Sequence, residues 1–263
     1  MAELAWLNGR LLPAAEVLIP ATDRGFTLGD GLFETLRLQD GTVRDTPAHF
    51  ARLAAGAKLL RLPLPFDAAA MGAILTETAA ANHLRDGGLR LTLTRGPGPR
   101  GLPPPISPRP TVLVSAFAPP ARAVEIAAII ATSIARDEAS PLSRVKTLNY
   151  LPNILARLEA QERGAEEAIL LNHAGRIAGA SIGNILVRAG GIWLTPPVTE
   201  GALPGIRRAR LLASGKVRQA PIDQDTLRRA TSLCVCNVLA LRPITALEGA
   251  TLPAAPVDDL AGL

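Results

Sequence analysis

The chain has 263 residues and a mass of 27.5 kDa, with 48% hydrophobic and 19% charged residues, the profile of a folded globular protein holding one large domain or two modest ones. Its formal charge of +5 is spread as scattered arginines, and aromatic residues make up 3%, so the charge runs and stacking rings of a nucleic-acid module are missing. A site for an anionic small molecule stays open. No uninterrupted apolar stretch reaches membrane-spanning length, and "MAELAWLNGR" lacks the pattern of a signal peptide, so a cytoplasmic location is expected.

In chain order, "LAWLNGRLL" reads as a hairpin turning at Asn8-Gly9, and "LFETLRLQDGTVR" as a longer one turning at Asp40-Gly41. Thr46 is the expected N-cap of a helix with Pro47 at its first position, and Phe50, Leu53, Ala57 and Leu60 line one face. A second helix is expected through "DAAAMGAILTETAAANH". "GLRLTLTRG" and "PTVLVSAF" read as strands around the Gly/Pro-rich loop "GPGPRGLPPPISPR". "APPARA" (118–123) marks the expected boundary between an N-terminal α+β domain, 1–117, and a larger C-terminal one, 118–263.

Beyond it, "VEIAAIIATSIAR" is strand-like, and "LPNILARLEAQERG" is a helix closed by Gly164. Two hairpin-like units follow, "EEAILLNHAGRIAG" and "NILVRAGGIWLTP". A helix begins near "PGIRRARLLASG", and "SLCVCNVLAL" reads as one late strand. Alternation puts Cys234 and Cys236 on one face of it, and nothing nearby completes a metal site, so buried reduced thiols are expected. His49, His83 and His173 show no nucleophile or metal spacing and read as structural or surface residues.

One residue stands apart. Of 28 basic residues only Lys58, Lys146 and Lys216 are lysine. A guanidinium stays protonated, whereas a lysine amine in a desolvated pocket can lose its proton and attack a carbonyl. Lys146 lies among apolar and small polar neighbours in "SRVKTLNY". On the count alone, a chance survivor fits equally well.

The segments "DRGFTLGDGLFETLR", "HFARL", "TRGPGPRG", "KTLNYLPNILA", "EEAILLN", "LPGIRR" and "VCNVLALRPI", taken in order, resemble the fold-type IV pyridoxal-phosphate enzymes, the class IV aminotransferase family. The resemblance implies a two-domain α+β fold with the site at the domain junction, a homodimer, and pyridoxal 5'-phosphate as cofactor. It assigns Lys146, on the C-terminal domain, as the lysine that bonds the cofactor and moves protons, and Arg52 as the arginine on its phosphate. Gly205, Ile206 and Arg207 would offer helix N-terminal amides to that phosphate. Leu203 would pack on the pyridine ring, and Asn237 would add a cofactor-side contact. Taken singly, Arg52 reads equally as a surface arginine, Leu203 as core, and Asn237 as a satisfied strand-end residue.

Within the family, "KTLN", "CNVL" and "RGPGPRG" resemble the 4-amino-4-deoxychorismate lyases more than the branched-chain aminotransferases. That implies formation of 4-aminobenzoate and pyruvate, with Arg95 or Arg100 gripping a substrate carboxylate. One departure stands out: "GASIGN" puts Gly179 where the family carries a glutamate for the pyridine nitrogen, with Asn184 in its Asn position. An absent carboxylate weakens the ring as an electron sink, which penalises transamination more than an aromatising elimination. A D-amino-acid or branched-chain aminotransferase, or a catalytically impaired cofactor-binding protein, remain the alternatives.

Overall fold

A computed structural model describes residues 3–118, 125–252 and 260. The chain divides into two units, Met1–Pro120 with Val145–Asn149, and Ala121–Arg144 with Tyr150–Leu263. The boundary expected at 118–123 lies, beyond Ala118, outside the described residues. Lys146 groups with the first unit, whereas the sequence reading gave it to the C-terminal domain.

The first unit is built on turns that local chemistry dictates. Strands β1 (Leu4–Leu7) and β2 (Arg10–Pro13) meet at Asn8 and Gly9, both at positive φ, the backbone a tight hairpin needs. A short helix α1 (Arg24–Leu28) is capped by the Asp23 carboxylate on the Gly25 amide at 2.7 Å. Strand β3 (Gly31–Gln39) turns at Asp40-Gly41 into β4 (Thr42–Val43). Helices α2 (Thr46–Leu60) and α3 (Ala68–Ala81) follow, then β5 (Gly87–Thr94) and β6 (Thr111–Phe117).

The expected cap of α2 shifts by one residue. Asp45, in the left-handed region, is the N-cap, Thr46 is helical, and Pro47 still sits in the first turn, where no amide is needed. The strands form one antiparallel sheet in the order β2-β1-β6-β5-β3-β4. Leu32, Leu36, Leu38, Leu89, Leu91, Leu93 and Val114 from the sheet pack with Leu53, Met71 and Leu75 from the helices. Burying a residue of this size stabilises by roughly 1.5–3 kcal/mol, so a core built almost wholly from aliphatics suffices.

The second unit holds β7 (Ile126–Ile130), α4 (Leu151–Glu162), β8 (Glu167–Leu171), β9 (Ile177–Ala180), β10 (Asn184–Ala189), β11 (Ile192–Thr195), α5 (Ile206–Ala213), β12 (Val217–Gln219), α6 (Gln224–Arg228), β13 (Ser232–Cys236), β14 (Leu241–Leu247) and β15 (Ala250–Thr251). Its mixed sheet runs β12-β11-β10-β13-β14-β7-β8-β9, with β15 on β14. Both expected hairpins form. The late run "SLCVCNVLAL" is not one strand, because it breaks at Asn237. The Asn237 Oδ1 accepts from the Leu239 and Ala240 amides at 2.9 and 3.0 Å, which folds the chain back into β14. Cys234 and Cys236 are free, buried in one apolar cluster, and pushed up to about 12 by burial.

Candidate active site

Lys146 and Arg52 both pack against β3 of the first unit, at its successive residues Phe33 and Glu34, whose side chains point to opposite faces of the strand. The Phe33 amide donates to the Lys146 carbonyl at 3.0 Å, and Leu32 bridges to Thr147, so residues 145–149 lie along this strand. The Lys146 Nζ stands 4.1 Å from the centre of the Phe33 ring, and the Arg90 guanidinium lies 3.8 Å from it. Gly56 leaves room for this packing: a Cβ there would meet Val145 Cγ1 at 2.9 Å.

The residue after Phe33 organises Arg52. Glu34 is 1% exposed and receives Arg52 Nε at 2.8 Å and Nη2 at 2.6 Å, a bidentate pair. His49 Nδ1 lies 2.6 Å from its Oε2. Burial pushes the Glu34 carboxyl up, but Arg52 and then His49 outweigh it and hold the group below the usual carboxylate range. His49 is therefore a buried partner of an acid.

Arg95 is taken up by the fold rather than held open to solvent. It is 6% exposed, with Nε and Nη2 on Asp30 at 2.7 and 3.1 Å, Nη2 on the Leu60 carbonyl at 2.8 Å and Nη1 on that of Arg61 at 2.9 Å. All three guanidinium nitrogens serve the fold. Arg100, by contrast, is exposed on the loop after β5.

In the second unit, α5 starts at Gly205, an extended N-cap that offers no side-chain bond to the first turn. A Cβ at 205 would collide with Asn184 Oδ1, so glycine is required by close approach. The Asn184 Nδ2 donates to the Leu203 carbonyl at 2.9 Å, which fixes the turn entering the helix. Leu203 is half-buried, and Arg207 Nη1 reaches the Asn237 carbonyl at 3.5 Å. The Asn237 side chain is engaged on both sides, its Oδ1 by its own loop and its Nδ2 donating to the Ile182 carbonyl, in the turn between β9 and β10, at 3.3 Å.

Gly179 on β9 pairs with Leu170 of β8. A Cβ there would meet a single atom, Gly183 O, at 3.4 Å. The acid on the adjoining strand, Glu167, is fully buried and committed elsewhere. Its Oε1 accepts from the Ser181 hydroxyl and from the Ser181 and Ala168 amides at 3.0 and 2.9 Å, and its Oε2 lies 3.5 Å from Arg157. Among the described residues no cluster of His, Cys, Asp or Glu could hold a metal.

The sequence reading gave no role to Asp30 and Glu34, for which only the "GDGLFE" string held any signal, while His49, read as structural or surface, is a buried structural partner. The class IV amino-transferase family model matches residues 31–247, and the chain belongs to this family. A Methanocaldococcus jannaschii protein provisionally assigned as a branched-chain-amino-acid aminotransferase is 31% identical, over 97% of this chain and 91% of its own. A D-alanine aminotransferase of Bacillus licheniformis is 30% identical over 93% and 88%. A solved structure from Legionella pneumophila, provisionally assigned as a 4-amino-4-deoxychorismate lyase, superposes with a TM-score of 0.86 at 26% identity, covering 94% of each chain.

Enzymes of this family use pyridoxal 5'-phosphate, and it is this chain's cofactor. The residues fit the group. An α5 first turn whose amides receive no side-chain cap suits a phosphate dianion. Arg52, already oriented by Glu34, is a cation of the matching chemistry.

Proposed function

We propose that the chain is a pyridoxal-phosphate-dependent lyase that converts 4-amino-4-deoxychorismate to 4-aminobenzoate and pyruvate, working as a cytoplasmic homodimer. The observation that carries the reading is Gly179, where the family's glutamate is replaced by a residue without a side chain and the nearest acid in the strand pairing, Glu167, is engaged with Ser181. The solved lyase-assigned relative supports it from the side of the fold.

The cofactor supplies a carbonyl that takes up the substrate amine and a ring that stabilises negative charge. Arg52 and the first-turn amides of Ile206 and Arg207 hold its phosphate, Leu203 packs on its ring, and Asn237 contributes through its loop. Lys146 takes up the proton lost from the substrate ring as the C–O bond to the enolpyruvyl group breaks. A proton then returns to the methylene carbon of that group, giving pyruvate. The new aromatic ring makes the elimination favourable without a strong electron sink. Arg100 meets a substrate carboxylate.

A second reading, an aminotransferase for D-amino or branched-chain acids, is favoured by the 31% and 30% identities to such enzymes. Incubating the loaded protein with 4-amino-4-deoxychorismate separates them. Equal amounts of 4-aminobenzoate and pyruvate are expected, with only slow amino transfer from D-alanine or leucine to 2-oxoglutarate. Amino transfer outrunning the lyase reaction would overturn the assignment. Borohydride treatment should fix a pyridoxyl group on Lys146, and fixation on Lys58 or Lys216 would refute its role.

A further inference from the structure

Arg24 takes no part in the chemistry above, yet it is 4% exposed. Its Nη1 donates to the carbonyls of Gly101 and Pro103 at 3.0 and 3.4 Å, and its Nη2 donates to that of Leu102 at 2.8 Å. Its Nε bonds Asp30 Oδ2 at 2.9 Å. One guanidinium thus gathers three consecutive carbonyls of a single loop. The base of that loop is tied by the Gly98 amide on the Thr22 carbonyl at 3.1 Å and by the Asp23–Pro97 bridge. Among the described residues, the hydrogen bonds that hold 99–106 to the rest of the unit are those of Arg24.

Apolar packing does not replace them, since Leu102 is 79% exposed and Ile106 wholly exposed. A loop without such anchors samples many backbone states, and fixing one of them has to come from bonds of this kind. The planar fork of a guanidinium can serve several carbonyls and a carboxylate at once, which a lysine ammonium cannot.

We infer that Arg24 is a positioning residue that fixes the shape of the 98–106 loop and, through it, the reach of Arg100 toward a substrate carboxylate. The substrate half of this inference rests on the proposed role of Arg100. The loop half stands on the bonds of Arg24 alone.

The test uses the cofactor-loaded enzyme and two variants. Trypsin can cut the Arg100–Gly101 bond, one residue before the first carbonyl that Arg24 holds, and mass spectrometry identifies that cut. In Arg24→Met the cut should come at least tenfold faster. The KM for 4-amino-4-deoxychorismate should rise about tenfold, the usual effect of losing bonds to a charged donor, with kcat within about twofold and the cofactor absorption unchanged. Gly98→Ala reaches the same contact from the loop side, because its Cβ would lie 2.8 Å from Arg24 Cδ and must push that side chain aside. It should shift both readouts the same way by about threefold, and it carries the test if Arg24→Met does not fold. Cleavage at the wild-type rate in both variants, or a fall in kcat with KM unchanged, would overturn the inference. Arg100→Ala separates the two halves. If it leaves KM unchanged, the substrate half falls with that reading, and faster cleavage in Arg24→Met still decides whether Arg24 anchors the loop.

Discussion

The two units treat buried arginine in opposite ways. In the first, Arg24 and Arg95 share the Asp30 carboxylate and Arg52 shares Glu34 with His49, so these three cations meet an acid. In the second, the half-buried Arg136 bonds the carbonyls of Gly201 and Ser143, and the buried Arg208 bonds that of Pro196 and the Gln219 side chain. Among the described residues no carboxylate pairs with either, and burial pulls both guanidiniums below their ordinary value. A paired arginine locks backbone segments together with little net field. An arginine on neutral acceptors leaves its positive charge in the unit, beside the α5 turn proposed to receive a phosphate.

The comparison breaks most readily at Glu34. Glu34→Gln leaves Arg52 and His49 without their acid and should lower stability at pH 7 by about 3 kcal/mol in urea denaturation. Its carboxyl sits below the usual range when folded, so the stabilisation is complete above the unfolded value of roughly 4.3 and is lost as pH falls through the lower folded value. The gap between wild type and variant should close over that acidic window, and a gap still open at the acid end would refute the pairing.

Arg95→Met should come next, at about 2 kcal/mol, because Asp30 keeps Arg24 while the Leu60 and Arg61 carbonyls lose their donor. Burial pushes the Asp30 carboxyl up, and Arg95 and Arg24 together bring it below its ordinary value. The variant should therefore raise the Asp30 pKa, readable by NMR titration.

Arg208→Met sharpens the contrast from the other side. Removing a buried cation that has no acid offsets the loss of two neutral bonds, so the change should be about 1 kcal/mol and flat between pH 5 and pH 8. A loss as large as that of Glu34→Gln would mean a hidden partner. Smallest of all, Gly179→Glu should move stability by only about 0.5 kcal/mol, since one ordinary contact at 3.4 Å awaits its Cβ. Its effect belongs in the chemistry: amino transfer should rise more than lyase turnover.

Local features were legible in the sequence. Asn8-Gly9, Asp40-Gly41 and Gly164 all adopt the positive φ that their residue types suit, and the elements fall beside them. Long-range pairing was not. Arg95 and Arg100 look alike in "TRGPGPRG", yet Arg95 is buried by partners 34, 35 and 65 residues away. Asn237 looked like the end of a continuing strand because its neighbours are all apolar. Its turn depends on a side chain bonding the backbone two and three residues on. The grouping of the lysine segment with the first unit has no local signal, because its pairing with β3 spans more than a hundred residues.

The thiols of Cys234 and Cys236 have a practical bearing on all these experiments. At most 1% exposed and with burial pushing both thiols well above the ordinary cysteine range, they offer little thiolate to a reagent at neutral pH. Toward maleimides the native chain is effectively blank. A single cysteine placed at Ile106, wholly open to solvent, would take a dye or spin label alone and report the motion of its loop directly.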